Sequence, residues 1–423
     1  MRLRDGRAEW YRNRWIRSPA VSRALGERPI RPNHRAGVYV PAPNTNPIGH
    51  AGRTIATMEG GVANFELTEE LDTIGPCDFG GTLSGGYTGH PKIDPVTGEM
   101  HAITYRVTTG EFAEYSVIGT DGRACKVVRF DSPGKPLLHD IALTENYVLF
   151  FDTPLVVDKI GVVERQLPDW LPRSTRLVLA SLASRVVMPD RLVSRFTRRE
   201  LIRQPDVAPI RWDPDRPSRI GLLPREGEAV VRWFEIEPCY VFHTLNAYEE
   251  NGSVVCEAVR IHGYDRAAQY QLKDIFDTGR PMMHRWTVDL GSGKVRESGI
   301  DDRPQEFPGV DPRRIGRRHR YGYSTATTLG WHSDRDSVLR HDLAQDVTTE
   351  LPLPEHHFAG EFSFVPNGDG AAEDDGVLMG FVYDRTTGRS NLSLLDSATG
   401  EAVATVHLPT RVPFGFHGNW VSA

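Results

Sequence analysis

The sequence has little cysteine and no long hydrophobic run, and both shortages limit where the protein works. Its four cysteines (Cys77, Cys125, Cys239 and Cys256) lie far apart in 423 residues and include no CxxC pair. This spacing is typical of reduced thiols rather than of a disulfide framework, so we expect a cytoplasmic protein. No stretch of about 18 apolar residues is present to span a bilayer. The N-terminus also lacks the apolar run of a secretory signal.

Basic charge and the common local motifs are lacking as well. The net charge of -6 excludes a general basic field, so we expect no nucleic-acid partner. The 15 histidines form no HxxxH pair, no HxH pair and no Cys/His cluster of zinc-finger spacing. There is no GxSxG elbow and no GxxxxGK or GxGxxG phosphate loop. A metal site would therefore have to be assembled from distant strands, with one ligand from each.

Turn-forming residues, by contrast, are in excess. The chain contains 40 glycines and 30 prolines, a combined share above the average of about 12%. Segments such as EYSVIGTDGRACKVVRF and CYVFHTLNAYEENGSVVCEAVRI place DG or NG between β-branched runs, which predicts β-hairpins. Because this pattern recurs along almost the whole chain, it predicts one all-β domain over residues 1–423. Either a propeller or a large sandwich would use such hairpins, and no repeated dipeptide separates the two.

One segment, residues 167–204, breaks the strand pattern and is predicted to be helical. Its apolar residues alternate with arginines, and Pro189 is expected to divide it into two short helices. Such a basic amphipathic segment is typical of a peripheral membrane contact. It is equally consistent with a helical cap that packs on the β-domain and turns its arginines to solvent.

Four histidines share one sequence context, because each lies at or near the end of an apolar extended run. In a radial arrangement of sheets, such positions would point toward a common centre. Taken singly, each is more often a structural histidine than a ligand. The four are His90, His139, His243 and His417.

Several long motifs, in order, resemble those of the carotenoid cleavage oxygenase family, which includes carotenoid and apocarotenoid oxygenases and lignostilbene dioxygenases. They include NTNPIGHAGRTIATMEGG, HPKIDPVTGEMHAITY, LLHDIALTENYVLF, WFEIEPCYVFHTLNAYEE and FGFHGNW. The resemblance covers nearly the whole chain and implies a seven-bladed β-propeller with a helical cap on one face. Family members usually carry several dozen residues before RLRDGRAEWYRNRW. The resemblance therefore also implies that an N-terminal strand or part of a blade is missing here.

The resemblance implies a metal centre with molecular oxygen as co-substrate. Four neutral imidazoles suit iron and leave positions open for dioxygen and for substrate or water. The implied cofactor is one Fe(II) ion per chain. Its implied ligands are His90, His139, His243 and His417.

The resemblance also implies residues that support these ligands. Glu59, Glu306 and Glu361 match family glutamates that accept a hydrogen bond from Nδ1 of three of the histidines and so fix their tautomer. The motif around Glu361 departs from the family pattern, because Phe362 stands where proline is usual. Thr45 matches a family threonine beside the open iron position, where its methyl group would restrict solvent access.

The implied reaction is the cleavage of a conjugated carbon–carbon double bond into two carbonyl products. Stilbene-cleaving members typically carry a lysine just before the first supporting glutamate, whereas this chain has Met58. An apolar side chain there favours a carotenoid or apocarotenoid over a hydroxystilbene, which remains the alternative substrate. A third interpretation is an inactive propeller that binds an apolar ligand.

Overall fold

Short antiparallel strands joined by tight turns make up most of the chain. The computed structural model describes residues 1–31, 33–39, 43–105, 112–133, 136–168, 170–184, 210–262, 279–326 and 335–421. One hairpin shows how local chemistry directs the fold. Asn251 and Gly252 adopt φ values of 50° and 75°, which suits the tight two-residue turn that the NG dipeptide predicts.

The strands and helices are defined here in chain order. The strands are β1 (Arg2–Arg4), β2 (Arg7–Trp10), β3 (Asn46–His50), β4 (Arg53–Thr57), β5 (Phe65–Leu67), β6 (Thr73–Pro76), β7 (Lys92–Ile93), β8 (Met100–Tyr105), β9 (Phe112–Ile118), β10 (Ala124–Asp131), β11 (Ile141–Leu143), β12 (Tyr147–Asp152), β13 (Leu155–Val157), β14 (Ile210–Trp212), β15 (Ser218–Pro224), β16 (Arg232–Ile236), β17 (Tyr240–Glu250), β18 (Ser253–Ile261), β19 (Met282–Asp289), β20 (Val295–Gly299), β21 (Gln305–Gly309), β22 (Tyr321–Ala326), β23 (Ser337–Asp342), β24 (Val347–Pro352), β25 (His357–Pro366), β26 (Gly376–Asp384), β27 (Arg389–Asp396) and β28 (Ala402–His407). The α-helices are α1 (Pro19–Ala24), α2 (Lys159–Gln166) and α3 (Arg173–Ser184).

These strands form the blades of a β-propeller, as predicted. The described residues contain six four-stranded antiparallel sheets, in the orders β3-β4-β5-β6, β7-β8-β9-β10, β11-β12-β15-β16, β17-β18-β19-β20, β21-β22-β23-β24 and β25-β26-β27-β28. The pairs β1-β2 and β13-β14 form separate two-stranded sheets. Six four-stranded blades among the described residues are consistent with the predicted seven-bladed propeller.

The first strands of the second to sixth blades lie nearest the propeller axis. Strand β11 contacts β7 and β17, and β21 contacts β17 and β25, so these first strands pack side by side around the centre. The apolar core lies between adjacent blades. Phe151 of the third blade, for example, packs edge-on against Trp286 of the fourth, with ring centroids 5.2 Å apart. Such interlocked aromatic layers hold the first strands at fixed spacing.

The two ends of the propeller differ in what they carry. Strand β12 pairs antiparallel with β11, with Ile141 opposite Phe150, so Asp152 lies at the end where β11 begins. The chain leaves the third blade at this point to form β13, α2, α3 and β14 before it returns as β15. We call this end, marked by Asp152, the helical face. The end at which the first strands finish, marked by Leu143, is the opposite face.

The helices only partly match the predicted segment 167–204. Helix α3 lies within it, whereas α2 precedes it and residues 167–168 and 170–172 are not helical. Pro168 and Pro172 explain this gap, because proline disfavours helical conformation in the residue before it. The part of the predicted segment from residue 185 to 204, including Pro189, lies outside the described residues. The assignment of a helical cap therefore stays a prediction.

Candidate metal centre

The four predicted histidines converge at one point near the propeller axis. The Nε2 atoms of His139 and His243 are 3.3 Å apart. His90, His139 and His243 each offer a ring nitrogen, and these nitrogens all lie within 4.8 Å of one another. The ring of His417 completes the group, with its centroid 4.5 Å from that of His90 and 4.7 Å from that of His243. Side chains far apart in sequence thus face one small volume.

Different elements deliver these rings. His90 precedes β7 and His139 precedes β11, whereas His243 lies within β17. His417 lies in the C-terminal tail beyond β28, and its backbone N–H donates to the carbonyl of Thr45, 3.2 Å away, just before β3. The tail therefore runs between the last and first blades, which places its histidine at the axis.

A recurring irregularity in the first strands helps to aim the site residues. In β17 two residues lie between Val241 and Thr244, whereas in β18 only one lies between their partners Arg260 and Ala258. His243 is one of the two residues in this bulge. The same extra residue occurs in β21 directly after Glu306 and in β25 around Glu361. Because a bulge interrupts the alternation of side chains, it can redirect a residue toward the axis.

Three of the histidines are held by the predicted glutamates. The Nδ1–H group of His139 donates to Glu59 at 2.9 Å, and that of His243 donates to Glu306 at 2.7 Å. His417 Nδ1 lies 3.1 Å from Glu361. With the proton on Nδ1, each ring keeps the Nε2 lone pair for a cation at the centre.

Further contacts, which the sequence did not indicate, hold the glutamates themselves. The hydroxyl of Tyr105 donates to Glu59 at 3.2 Å. The backbone N–H groups of Phe307 and Gly418 donate to Glu306 and Glu361, both at 2.8 Å. Phe307 adopts a φ of 55°, a strained conformation for an aromatic residue. These contacts hold the three carboxylates in place, and the carboxylates in turn hold the imidazole rings.

Burial and neighbouring charge set the protonation of the group. Burial, followed by the proximity of the other histidines, lowers the pKa of His90 well below its usual value. Burial likewise lowers the pKa of His243. Burial acts in the same direction on His139, but the carboxylates of Glu59, Asp140 and Glu306 together outweigh it and raise that pKa. Burial also raises the pKa of Glu306 to about 7. His90 and His243 are therefore neutral at pH 7, the form that binds metals.

The donor set fits a divalent metal cation. The Nε2 atom of His90 is buried and has no hydrogen-bond partner among the described residues. Two imidazole nitrogens that bind one metal at about 2.1 Å and at right angles lie about 3 Å apart, close to the separation of the His139 and His243 nitrogens. Imidazole suits several transition metals, including iron. Repulsion between converging lone pairs is relieved only when a cation or protons occupy the centre.

Thr45 lies beside the site through its contact with the residue before His90. A Cβ atom placed at Gly89 would be only 2.5 Å from Cγ2 of Thr45. The methyl group of Thr45 therefore packs directly on the backbone at position 89. The predicted role of Thr45 at an open metal position stays a prediction.

A cavity reaches the histidines from the opposite face. It measures about 490 Å³ and is lined by His90, His243 and His417 together with residues that follow them along the first strands. Polar groups in its wall include Lys92, Asp140, Asn46 and Asn246. The volume near the histidines thus connects to a partly polar space inside the propeller.

Comparison with known proteins gives a matching family, a similar curated protein and similar solved structures. The family described as retinal pigment epithelial membrane protein (RPE65) matches residues 1–422. A carotenoid cleavage oxygenase of Mycobacterium tuberculosis is 46% identical over 430 residues, which cover 99% of this chain and 85% of that protein. The crystal structure of cobalt-substituted apocarotenoid oxygenase from Synechocystis has a TM-score of 0.70 and 27% identity, and the match covers 90% of this chain and 74% of that one.

A second solved structure supports the fold alone. The lignostilbene dioxygenase of Pseudomonas brassicacearum has a TM-score of 0.73 at 24% identity, over 96% of this chain and 82% of that one.

Proposed function

This chain belongs to the carotenoid cleavage oxygenase (RPE65) family, and from that premise we propose that it cleaves a conjugated double bond of a carotenoid or apocarotenoid. The observation that carries the proposal is the convergence of four imidazoles, three of them held by carboxylates. A propeller that only bound an apolar ligand would not need this set.

The proposed ligands are His90, His139, His243 and His417, and the proposed metal is one ferrous ion. Bound Fe(II) supplies the activation of dioxygen for reaction with an electron-rich alkene. The overall reaction converts one C=C bond and one O₂ molecule into two C=O groups. Both oxygen atoms can enter the products and the alkene supplies all four electrons, so no external reductant is required.

The residues of the chain orient the ligands. Glu59, Glu306 and Glu361 each accept Nδ1–H and hold one imidazole in the tautomer that presents Nε2. Phe242 packs edge-on against His139 and Phe307 stacks against His243, with centroids 5.0 and 5.9 Å apart. These rings limit ring rotation and keep water from the faces of the imidazoles.

Two features support a polyene as the substrate. Met58 replaces the lysine that typically holds a phenol in stilbene-cleaving relatives, so this position offers no donor. The relative with 46% identity is named as a carotenoid cleavage oxygenase. We therefore expect an apolar substrate without a required phenol.

The test is product analysis with iron-loaded protein. We expect oxygen uptake and two carbonyl fragments per alkene from at least one carotenoid or apocarotenal, identified by mass spectrometry. The matched control is His407→Gln, which alters an exposed histidine on β28, against His243→Ala, which should lose both iron and turnover. Cleavage of hydroxystilbenes alone would overturn the substrate class. Full iron occupancy without any carbonyl product would overturn the enzymatic proposal and favour ligand binding.

We also propose that α2 and α3 contact a lipid surface, from which a polyene must be extracted. Val178 and Leu182 on α3 are 60% and 58% exposed, and Trp170 before it is 80% exposed. Arg173, the first residue of α3, is also exposed. Amphipathic helices with this chemistry insert at the interface of anionic bilayers. Among the described residues, no helix is long and apolar enough to cross a membrane.

Vesicle co-sedimentation tests this contact. The variant Val178→Ser/Leu182→Ser should lose binding to anionic vesicles, because it removes exposed apolar area from one helix. Val347→Ser/Val403→Ser changes two exposed valines on β24 and β28 and should bind as the wild type does. Equal binding by both double variants would exclude α3 as the contact.

A further inference from the structure

Three residues next to the proposed ligands meet in one buried cluster. Lys92 follows His90 by two residues, Asp140 directly follows His139, and Thr244 directly follows His243. Lys92 lies on the second blade, Asp140 just before the first strand of the third, and Thr244 on the fourth. The cluster therefore joins the three neighbouring blades that deliver three of the histidines.

Asp140 is the centre of this cluster. Its Oδ2 atom accepts from the backbone N–H of Thr244 at 2.8 Å and from the Thr244 hydroxyl at 2.9 Å. Its Oδ1 atom accepts from the backbone N–H of Ile141 at 2.7 Å. The Lys92 ammonium lies 2.9 Å from Oδ1 and 3.1 Å from Oδ2. These donors use the full acceptor capacity of a carboxylate.

The cluster is buried on one side and reachable on the other. The Asp140 side chain is only 2% exposed, whereas that of Lys92 is 22% exposed and borders the cavity. An unpaired carboxylate at this depth would be costly, so Lys92 compensates its charge. Both contacts with Thr244 cross from one blade to the next, so they oppose sliding of β17 against β11.

The backbone at His243 needs such an anchor. In β17 the register with β18 shifts between Val241 and Thr244, so Phe242 and His243 lie in a bulge, and it shifts again between Thr244 and Asn246. The fourth blade thus does not itself fix the position of His243 through ladder pairing. The bond from Thr244 N–H to Asp140 fixes the residue directly after it. It links His243 to the residue that follows His139.

From these contacts we propose that Asp140, compensated by Lys92, is a positioning residue that sets the placement of His243 relative to His139. The inference rests on the proposed metal-binding role of these histidines. It adds to the three glutamates a fourth carboxylate that contacts none of the imidazoles. The glutamates orient the rings, whereas Asp140 holds together the backbone segments that carry His139 and His243.

The test measures the affinity and the spectrum of the metal site, and it does not depend on turnover. Asp140→Asn keeps the size of the side chain but places an amide against Lys92 and Thr244. We expect its Fe(II) dissociation constant to rise about 10–100-fold, and the electron paramagnetic resonance signal of the nitric-oxide adduct to change in rhombicity. The double variant Lys92→Met/Asp140→Asn should recover part of the affinity, because it also removes the lysine charge.

Further variants separate positioning from a general loss of stability. Thr244→Val removes the hydroxyl but keeps the N–H donor, and we expect a several-fold weaker site, whereas Thr244→Ser should restore wild-type behaviour. The matched control is Glu257→Gln in β18, a carboxylate with 0% exposure that is paired with Arg285. It should lower the melting temperature without a change in the spectrum.

The outcomes distinguish this inference from the proposed function. Wild-type affinity and spectrum in both Asp140→Asn and Thr244→Val would overturn the positioning role, as would an equal spectral change in Glu257→Gln. If Asp140→Asn does not fold, Thr244→Val alone decides. Wild-type protein that binds iron but cleaves no substrate would overturn the proposed function only. Wild-type protein that binds no iron would overturn both.

Discussion

At the scale of single residues, the four histidines differ in what supports them. His139, His243 and His417 each meet a carboxylate through Nδ1. His90 has no carboxylate partner among the described residues, and its Nε2 is buried and unpaired. The position of His90 therefore depends on the backbone that carries it, whereas the other three depend on their side-chain partners.

The first prediction concerns Glu306, the most buried of the three glutamates, with a side-chain exposure of 3%. Glu306→Gln retains an acceptor for Nδ1–H of His243 but loses the negative charge that raises the basicity of the ring. We expect a loss of about 10–100-fold in metal affinity, measured by competition with a chelator. Glu401→Gln, at an exposed position, is the control. Equal affinities for the two variants would contradict the proposed role of Glu306.

Residue roles could be predicted only where a motif pointed to them. The resemblance singled out the histidines and glutamates, and the structure brings these seven residues together. Lys92 and Asp140 lie inside motifs quoted for that resemblance, yet nothing in the pattern indicated their contact. Asp140 meets Thr244 across a separation of 104 residues. Such a contact depends on how two blades pack, which short-range sequence patterns do not encode.

At the scale of elements, the turns were predictable and the bulges were not. The DG and NG dipeptides predicted the hairpins β9–β10 and β17–β18, and the structure confirms both. A turn depends on two or three adjacent residues, so its chemistry can be read locally. The bulges at His243, Glu306 and Glu361 depend on register with a partner strand. Pro308 and Gly360, residue types that occur at bulges, lie in two of them, but neither shows which side chain turns toward the axis.

The second prediction tests how closely β3 and the segment before β7 approach each other. Gly89→Ala would place Cβ 2.5 Å from Cγ2 of Thr45, which should displace His90 and weaken metal binding several-fold. The measurement is the Fe(II) dissociation constant. Gly299→Ala, where a Cβ meets nothing within 4 Å, is the control.

A rescue makes this prediction sharper. Thr45→Ser removes Cγ2, so the double variant Gly89→Ala/Thr45→Ser should recover most of the lost affinity. Loss without recovery would indicate that Gly89 is needed for another reason. No loss of affinity in Gly89→Ala would show that the segments carrying Thr45 and Gly89 separate at little cost.

At the scale of the whole molecule, buried histidines outside the metal centre couple folding to pH. His341 is fully buried in β23, where its ring nitrogens contact Ser324 at 3.0 Å and Thr348 at 2.9 Å. Burial lowers its pKa to about 4. Burial also lowers the pKa of His319 to about 3. Below about pH 6.5 these histidines are therefore protonated in the unfolded chain, whereas they stay neutral in the folded protein.

The third prediction concerns stability at low pH, because the unfolded chain binds more protons there than the folded protein does. The free energy of unfolding should fall as pH falls from about 6.5 to 4, with a slope of about 1.4 kcal/mol per pH unit for each such histidine. His341→Gln should show a shallower slope than the wild type in urea denaturation between pH 4.5 and 8. Ser324→Ala, which keeps the imidazole, should be less stable but retain the slope. Parallel curves for the wild type and His341→Gln would contradict the assignment.

The overall architecture needed more than periodicity. Hairpin signals alone allowed a propeller or a sandwich, because both consist of antiparallel strands with similar turns. The resemblance selected the propeller, and the six blades of the described residues confirm that class. Helix α3 lies within the predicted helical segment, Pro168 and Pro172 interrupt its start, and the sequence pattern did not predict α2, KIGVVERQ.

The position of His417 in the tail between the last and first blades has a consequence for biosynthesis. Translation delivers the other three imidazoles first, and a nascent chain that stops before His417 lacks one of the four proposed ligands. If these four histidines are the ligands, as proposed, metal can bind at full affinity only after the segment that carries His417 has been synthesised. A prematurely terminated polypeptide would emerge from the ribosome with most of its blades but without a finished coordination sphere. Iron content per polypeptide should thus report the fraction of molecules in which the segment carrying His417 was synthesised and docked beside Thr45.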